Sequence, residues 1–172
     1  MRNRLFITFF LWFSFIGFSQ NSSIDFEIRN LGINVDGFFK KFSITTKFDA
    51  SNNLKNFSGE ITVNSIETGI ESRDEHLLEE DYFYTKNYPK IFLESKEISK
   101  KSEGNYNVKA ILKIKDKTKQ INFPVKTIIT KDSRKITAYF EINRRDFNVG
   151  GGSLVMSKTV KVSVVHIEKR ND

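Results

Sequence analysis

Apolar and polar residues alternate with a period of two along most of the chain after residue 23. The clearest apolar runs at alternate positions are Tyr106, Val108, Ala110, Leu112 and Ile114; Ile121, Phe123 and Val125; Ile136, Ala138, Phe140 and Ile142; and Val160, Val162 and Val164. Shorter runs precede them from Ile24 onward, and the segment 91–98 is strand-like with a mixed phase. Such alternation is typical of antiparallel strands that have one face in a core and one in water. Turn residues such as Asp36-Gly37 separate the runs. The pattern therefore predicts an all-β barrel or sandwich of about eight antiparallel strands, or slightly more.

One segment departs from this alternation and predicts a short helix near residues 73–81. Ser72 and Glu75 have the spacing of a capping box, in which the serine would be the N-cap and the glutamate the third helical residue. An aromatic cluster, Tyr82-Phe83-Tyr84 and Tyr88, follows outside any strand pattern. A single helix in an all-β chain often covers an opening or an edge of the sheet.

The first 19 residues have the features of a cleaved secretory signal peptide. Arg2 and Arg4 give a basic start, the next 14 residues from Leu5 to Phe18 carry no charge, and the small residues Gly17 and Ser19 precede a cut before Gln20. The apolar run is shorter than the roughly 20 residues of a membrane-spanning helix. A retained membrane anchor is the alternative interpretation. We expect one domain over residues 20–172, exported to the periplasm or secreted.

Composition excludes several classes of protein. The chain has no cysteine, which excludes a disulfide framework, a thiol nucleophile, iron–sulfur ligation and the acceptor of a lipid anchor. The net charge of +7 falls to +5 without residues 1–19, because only Arg2 and Arg4 among the charged residues are lost. This mild charge does not predict a nucleic-acid partner. We expect a soluble exported protein.

Candidate catalytic residues are few. The chain has two histidines, and His166 continues the apolar phase of the last strand, which favours a structural role. His76 lies in the charged sequence Arg73-Asp74-Glu75-His76, where two interpretations fit: a self-contained cap with ion pairs, or a site for an anion or for catalysis. The two histidines lie 90 residues apart along the chain, which argues against a zinc or copper site. We expect no catalytic residue, no metal and no cofactor.

The inward-facing positions of the predicted strands are almost wholly apolar. A barrel of about eight strands is either filled by its own side chains or holds one small ligand. Periodicity alone does not separate these two interiors. Lysines at alternate positions from 113 to 119 are typical of a solvated outer face, with contact to anionic lipid as the alternative.

Several spaced motifs, in order, resemble the YceI-like family of exported bacterial proteins that bind polyisoprenoids and related lipids. The likeness extends from residue 24 to about 167. The motifs are Phe26-Glu-Ile-Arg-Asn-Leu-Gly32, Ser65-Ile-Glu-Thr-Gly69, Arg73-Asp-x-His-Leu77, Asp81-x-Phe83, Tyr88-Pro89-x-Ile91 and Asn143-Arg144-x-Asp146-Phe147-x-Val149-Gly150.

This resemblance implies a lipocalin-like antiparallel barrel around an apolar tunnel that holds an isoprenoid or fatty-acyl tail. The tail contacts expected from it are Phe48, Ile61, Val63, Phe83, Tyr88, Val108, Leu112, Ile121, Phe123, Phe140 and Ile142. Arg73, His76 and Arg144 are the residues expected to face a polar head such as a phosphate, a quinone oxygen or a carboxylate. In the alternative interpretation, Arg73 and Arg144 support turns through hydrogen bonds to backbone or carboxylate groups.

The function implied is an exported lipid carrier or store without chemistry of its own. Its ligand would be a polyisoprenoid, an isoprenoid quinone or a fatty-acid derivative, and its membrane contact would be transient. Exposed strands also allow a homodimer. Two alternatives are an enzyme that acts on a lipid-like substrate through the Arg73–His76 region, and a secreted interaction module with a filled barrel.

Overall fold

The computed structural model describes residues 22–170, so the predicted signal peptide lies outside the described residues. Ten strands and one α-helix make up this part of the chain. The strands are β1 Ser23–Asn30, β2 Ile33–Phe39, β3 Phe42–Phe48, β4 Leu54–Thr62, β5 Ile66–Glu67, β6 Lys90–Ser102, β7 Asn105–Ile114, β8 Lys117–Ile129, β9 Ser133–Asn143 and β10 Met156–Lys169; the helix is α1 Glu71–Leu77. Short 3-10 turns follow β4 (Val63–Ser65) and β9 (Arg144–Phe147).

All ten strands form one antiparallel sheet that curls into a half-barrel, which confirms the predicted all-β, lipocalin-like fold with one short helix. The strand order is β3-β4-β6-β7-β8-β9-β10-β1-β2-β5, so β3 and β5 lie at the two ends of the sheet. The inward faces of the strands carry the apolar residues that the alternation predicted. Within residues 22–170, no helix is long and apolar enough to cross a lipid bilayer.

The two ends of the sheet meet at one corner. Only Lys40 and Lys41 lie between β2 and β3, although these strands stand near opposite ends of the sheet. The N–H of Lys40 donates to Ser65 O at 3.0 Å, and the N–H of Thr62 donates to Lys41 O at 2.9 Å. The connection from β2 to β3 and the connection from β4 to β5 therefore run side by side and link the two ends of the sheet. The sheet in this way encloses an interior.

A β-bulge explains the mixed phase of residues 91–98. Ile91, Leu93 and Ser95 follow one phase in β6, and the pairing with β7 then shifts between Ser95 and Glu97. The extra residue, Lys96, returns Ile98 to the inward side, opposite Val108. A bulge turns the strand without leaving a sequence period of its own.

The predicted capping box is wrong. The helix begins at Glu71, its N-cap is Ile70, and the N-cap makes no side-chain hydrogen bond. Ser72 lies inside the helix, which ends at Leu77 instead of near residue 81. Asp74 accepts hydrogen bonds from the backbone N–H of Thr68, at 2.9 Å, and from its hydroxyl. The helix start is thus fixed by a contact with the preceding loop instead of by a serine cap.

The interior is divided into a packed part and a hollow part. In the packed part, the ring of Phe123 lies 6.1 Å from that of Phe57 and 4.7 Å from that of Phe140, and the last two rings border the hollow part. Val108 and Ile136 are completely buried there. The hollow part lies toward the end of the barrel where β9 and β1 end and β10 begins. The barrel is therefore neither wholly filled nor wholly open.

Candidate functional site

A cavity of about 190 Å³ occupies the hollow part of the barrel. It touches β1 from Ile24 to Asn30, a stretch about 20 Å long at the usual rise per residue. An apolar cavity of about 150 Å³ in another protein is large enough to bind benzene. The length of the contact with β1 fits an extended ligand better than a compact one.

The middle of the cavity is a wall of apolar side chains from three neighbouring strands. Val162 of β10 pairs with Phe26 of β1 on one side and with Phe140 of β9 on the other. All three residues line the cavity. Next to Phe26, Gly37 leaves the space that the phenylalanine ring fills, as a β-carbon at Gly37 would be 2.3 Å from Phe26 Cζ. The wall offers dispersion contacts and few hydrogen bonds, as an aliphatic chain requires.

Helix α1 and the segment after it cover one side of the cavity. Leu77, Tyr82 and Phe83 line it from this cover. Arg73 also lines the cavity, and its guanidinium donates to Thr68 Oγ1 at 2.7 Å and to Thr68 O at 2.6 Å. These bonds tie the cover to the loop before α1. The short helix therefore has the covering role that its place in the sequence predicted.

Arg144 is buried, with only 3% of its surface exposed, and it borders the cavity. Its guanidinium donates to four backbone carbonyls: Ser157 O at 2.8 Å, Val149 O at 2.7 Å, Gly151 O at 3.0 Å and Met156 O at 3.0 Å. Burial lowers the pKa of Arg144 below its ordinary value. This geometry matches the alternative interpretation, in which Arg144 supports a turn.

Asn30 is one of the polar residues of the cavity that the sequence analysis missed. It lines the cavity at the end of β1, and its Oδ1 atom is buried without a hydrogen-bond partner among the described residues. A buried acceptor without a partner is costly. The signal was present in the sequence, because Asn30 continues the inward phase of Ile24, Phe26 and Ile28. A ligand hydroxyl at this place would satisfy the free oxygen.

The structure brings half of the predicted site residues to the cavity. The predicted residues that line it are Ile61, Phe83, Leu112, Phe140, Ile142, Arg73 and Arg144. Those that do not line it are Phe48, Val63, Tyr88, Val108, Ile121, Phe123 and His76. Val63, Val108 and Phe123 are buried in the packed interior, and the ring of Phe48 lies under the guanidinium of Arg134. Ligand contact stays a prediction for all fourteen residues.

The two histidines lie apart from the cavity lining. His76 is exposed on α1, where Nδ1 lies 2.7 Å from Glu79 Oε2. His166 lies near the other end of β10, where Nδ1 is 3.1 Å from Ser22 Oγ and Nε2 is 3.6 Å from Glu168 Oε2. No cluster of His, Cys, Asp or Glu in the described part of the chain is arranged to hold a metal ion. The geometry thus offers a largely apolar binding cavity with a polar end, which is the end at Asn30.

Comparison with protein families gives a match to the YceI-like domain over residues 18–167. Among curated proteins, a UPF0312 protein of Staphylococcus aureus strain N315 is 28% identical over 162 residues, which cover 87% of this chain and 92% of the relative. The match thus spans nearly the whole described structure.

Solved structures share the fold. BcnA of Burkholderia cenocepacia aligns with a TM-score of 0.81 and 25% identity, over 86% of this chain and 96% of that one. A Campylobacter jejuni YCEI protein gives 0.75 and 22%, over 81% and 87%. A polyisoprenoid-binding domain from Saccharophagus degradans, implicated in plant cell wall breakdown, gives 0.68 and 16%, over 87% and 94%.

Proposed function

Since this chain belongs to the YceI-like domain family, we propose that it is a lipid-binding protein that holds an isoprenoid or fatty-acyl tail inside its half-barrel. The observation that carries this proposal is the apolar cavity, which follows β1 for about 20 Å. The polyisoprenoid-binding domain from Saccharophagus degradans, which shares the fold, supports the same class of ligand.

The energetics of such a cavity favour a long apolar tail. Each methylene group moved from water into an apolar environment contributes roughly 0.8 kcal/mol, so ten buried carbons contribute about 8 kcal/mol before the costs of association. The wall around Val162, Phe26 and Phe140 supplies this gain without directional contacts. Selectivity along the tail is therefore expected to be loose.

The polar end of the cavity supports recognition of the head group. Asn30 Oδ1 is a free acceptor, and a hydroxyl of a prenyl alcohol or a reduced quinone would donate to it. Arg73 borders the same cavity and supplies a positive charge that favours an anionic or carbonyl head. Arg144 contributes indirectly, because its four bonds hold the loop around Val149 and Met156 in place.

A carrier or store fits this site better than the two alternatives. For catalysis in the Arg73–His76 region, the two side chains would have to act together, but Arg73 lines the cavity while His76 is exposed beside Glu79. An interaction module with a filled barrel would lack the cavity. In this proposal the protein is exported, as the amino-terminal sequence predicts, and keeps an insoluble lipid apart from water.

Filling the cavity tests the proposal. Val162→Trp places a large ring between Phe26 and Phe140, and we expect it to abolish binding of a fluorescent fatty acid that a prenyl alcohol displaces from the wild-type protein. Ser163→Trp is the matched control, because Ser163 is the next residue of β10 and is exposed on the outer face. Equal binding by both variants, with wild-type circular dichroism, would contradict a tail in this cavity.

A further inference from the structure

Four exposed apolar side chains lie on two adjoining segments at one end of the barrel, here called the tip patch: Leu31, Ile33, Leu154 and Val155. They are 71%, 69%, 98% and 55% exposed, respectively. Leu31 belongs to the β1–β2 turn and Ile33 is the first residue of β2, whereas the other two belong to the loop before β10. The N–H of Leu31 donates to Val155 O at 3.0 Å, so the two loops are joined.

The backbone of Leu31 is unusual for a leucine. Leu31 has a φ of 50° and Gly32 a φ of 80°, so both central residues of the turn are left-handed. Turns of this kind favour asparagine followed by glycine, and a leucine in the left-handed region is strained. This leucine gains little from burial, because most of its side chain is in water. Since burial does not offset the backbone strain at Leu31, this strain points to a role of the Leu31 side chain at the protein surface.

Positive charge predominates around the tip patch. Arg29, Arg145 and Lys158 are exposed; the acidic Asp146 adjoins Arg145, and no acidic residue lies in 28–35 or in 147–167. Two of the three cations are fixed to the patch loops: Arg29 Nε donates to Gly32 O at 3.1 Å, and Arg145 Nη2 donates to Ser153 O at 2.9 Å. Apolar side chains within a basic rim complement the surface of an anionic bilayer.

The tip patch is continuous with the polar end of the cavity. Asn30 and Met156 pair across β1 and β10, and both line the cavity. Each is the chain neighbour of a tip-patch residue, Leu31 in one case and Val155 in the other. If the protein contacted a membrane through the tip patch, the bilayer would therefore lie next to the cavity.

We propose that the tip patch docks on the surface of an anionic lipid bilayer, with Leu31 and Leu154 inserted among the head groups. Docking places Asn30 and Met156 where a lipid passes between the membrane and the cavity. This inference rests on the proposed lipid-binding function, because transfer needs a lipid to carry. It adds to that function a partner, the anionic bilayer, and a place of lipid exchange, the end of the cavity at Asn30 and Met156.

Vesicle flotation tests the docking directly. The full chain is expressed, and the purified protein is mixed with vesicles of phosphatidylcholine and phosphatidylglycerol at 3:1, or of phosphatidylcholine alone. The test variant combines Leu31→Asn with Leu154→Ser, which changes a strained turn residue to its preferred type and an almost fully exposed residue to a polar one. The control is Ile128→Ser, a 51% exposed residue near the end of β8, away from the patch.

The proposal predicts that the double variant partitions at least about tenfold more weakly than the wild-type protein, whereas Ile128→Ser partitions as the wild type does. Wild-type protein should also partition about tenfold more weakly on phosphatidylcholine alone. The double variant should melt at the same temperature as the wild type or higher, so a loss of partitioning cannot be attributed to unfolding.

Three outcomes would overturn the docking. The wild-type protein could fail to partition onto vesicles, or the double variant could partition equally well. In the third outcome, sedimentation shows that the double variant has lost a dimer that the wild type forms, and vesicle partitioning is unchanged. The last outcome would identify a second copy of the chain as the occupant of the patch. Lipid content is measured on the same preparations. Bound lipid without partitioning overturns the docking alone, whereas specific partitioning by a protein that never carries lipid supports docking and contradicts the proposed function.

Discussion

The ring of Phe26 lies directly over the backbone of Gly37 on the neighbouring strand, so that a β-carbon at Gly37 would be 2.3 Å from Phe26 Cζ. The two residues pair across β1 and β2, and Phe26 lines the cavity. Because Gly37 has no side chain, the Phe26 ring packs directly against the backbone of β2. The width of the cavity at this point depends on a glycine.

Gly37→Ala should push the Phe26 ring toward the cavity. We expect a loss of about 1–3 kcal/mol in the free energy of unfolding, as for other overpacked sites. Affinity for a fluorescent fatty acid should fall as well, because the displaced ring occupies the space of the tail. Urea denaturation and a binding titration measure the two effects.

Gly59→Ala is the control, because the nearest atom to a β-carbon at Gly59 is Ser43 O at 3.6 Å, an ordinary contact. This change should leave the stability unchanged or raise it by up to about 1 kcal/mol. If both alanine variants had the same stability, the close packing of Phe26 on Gly37 would not matter.

Asn30→Leu should separate recognition of the head from burial of the tail. It removes a buried oxygen that has no partner among the described residues, so the free protein should be as stable as the wild type or more stable. Affinity for a prenyl alcohol should fall about 3- to 10-fold, the value of one hydrogen bond, whereas affinity for the hydrocarbon of the same length should not. Competition titrations with the two ligands measure this difference. An equal change for both ligands would exclude a hydrogen bond from the head to Asn30.

Arg144→Lys should destabilise the fold by about 2–4 kcal/mol, since a lysine cannot reproduce the planar fork that binds four carbonyls. The adjacent Arg145→Lys is the control. Arg145 is exposed and its guanidinium donates to the single carbonyl of Ser153, so its replacement should cost about 0.5 kcal/mol or less. Denaturation curves for both variants measure the difference, and equal values would mean that the buried network contributes little.

His166 should make the stability depend on pH. Burial lowers the pKa of His166 below its ordinary value of 6.5, and Glu168 only partly opposes this shift. The folded state therefore favours the neutral ring. The stabilising contribution is complete above pH 6.5 and is lost as the pH falls through the folded-state pKa.

His166→Asn removes this titration and retains an acceptor near the hydroxyl of Ser22. The wild-type protein should lose stability more steeply than the variant as the pH falls from 7 toward 5. Urea denaturation at several pH values gives both slopes. Parallel slopes would show that His166 does not contribute.

Much of the fold could be predicted from the sequence, because strand alternation reports which face of the sheet a residue occupies. Val160, Val162 and Val164 were assigned to the inward face in this way, and they line the cavity. The β-bulge at Lys96 could not be predicted, since one extra residue changes the phase locally and leaves no period. The capping rule misplaces the helix start because Asp74 accepts hydrogen bonds from Thr68, in the loop before the helix, and the rule considers only the pair Ser72 and Glu75.

The site was only partly predictable, because alternation does not report the position along the barrel axis. Phe140 and Val108 have the same inward phase, yet Phe140 lines the cavity and Val108 is sealed in the packed interior. The resemblance to a family pointed to Arg144 as a head-group contact, whereas its hydrogen bonds all go to backbone carbonyls. Asn30, with its free oxygen, was visible in the pattern as a polar residue in an apolar phase.

The central claim is that the half-barrel holds a lipid tail, and extraction of the purified protein with organic solvent tests it most directly. Mass spectrometry of the extract should identify an isoprenoid or fatty-acyl lipid in near-stoichiometric amount, and the same extraction of Val162→Trp should yield much less. Repeated recovery of wild-type protein without any lipid, together with no uptake of added prenyl alcohol, would contradict the account.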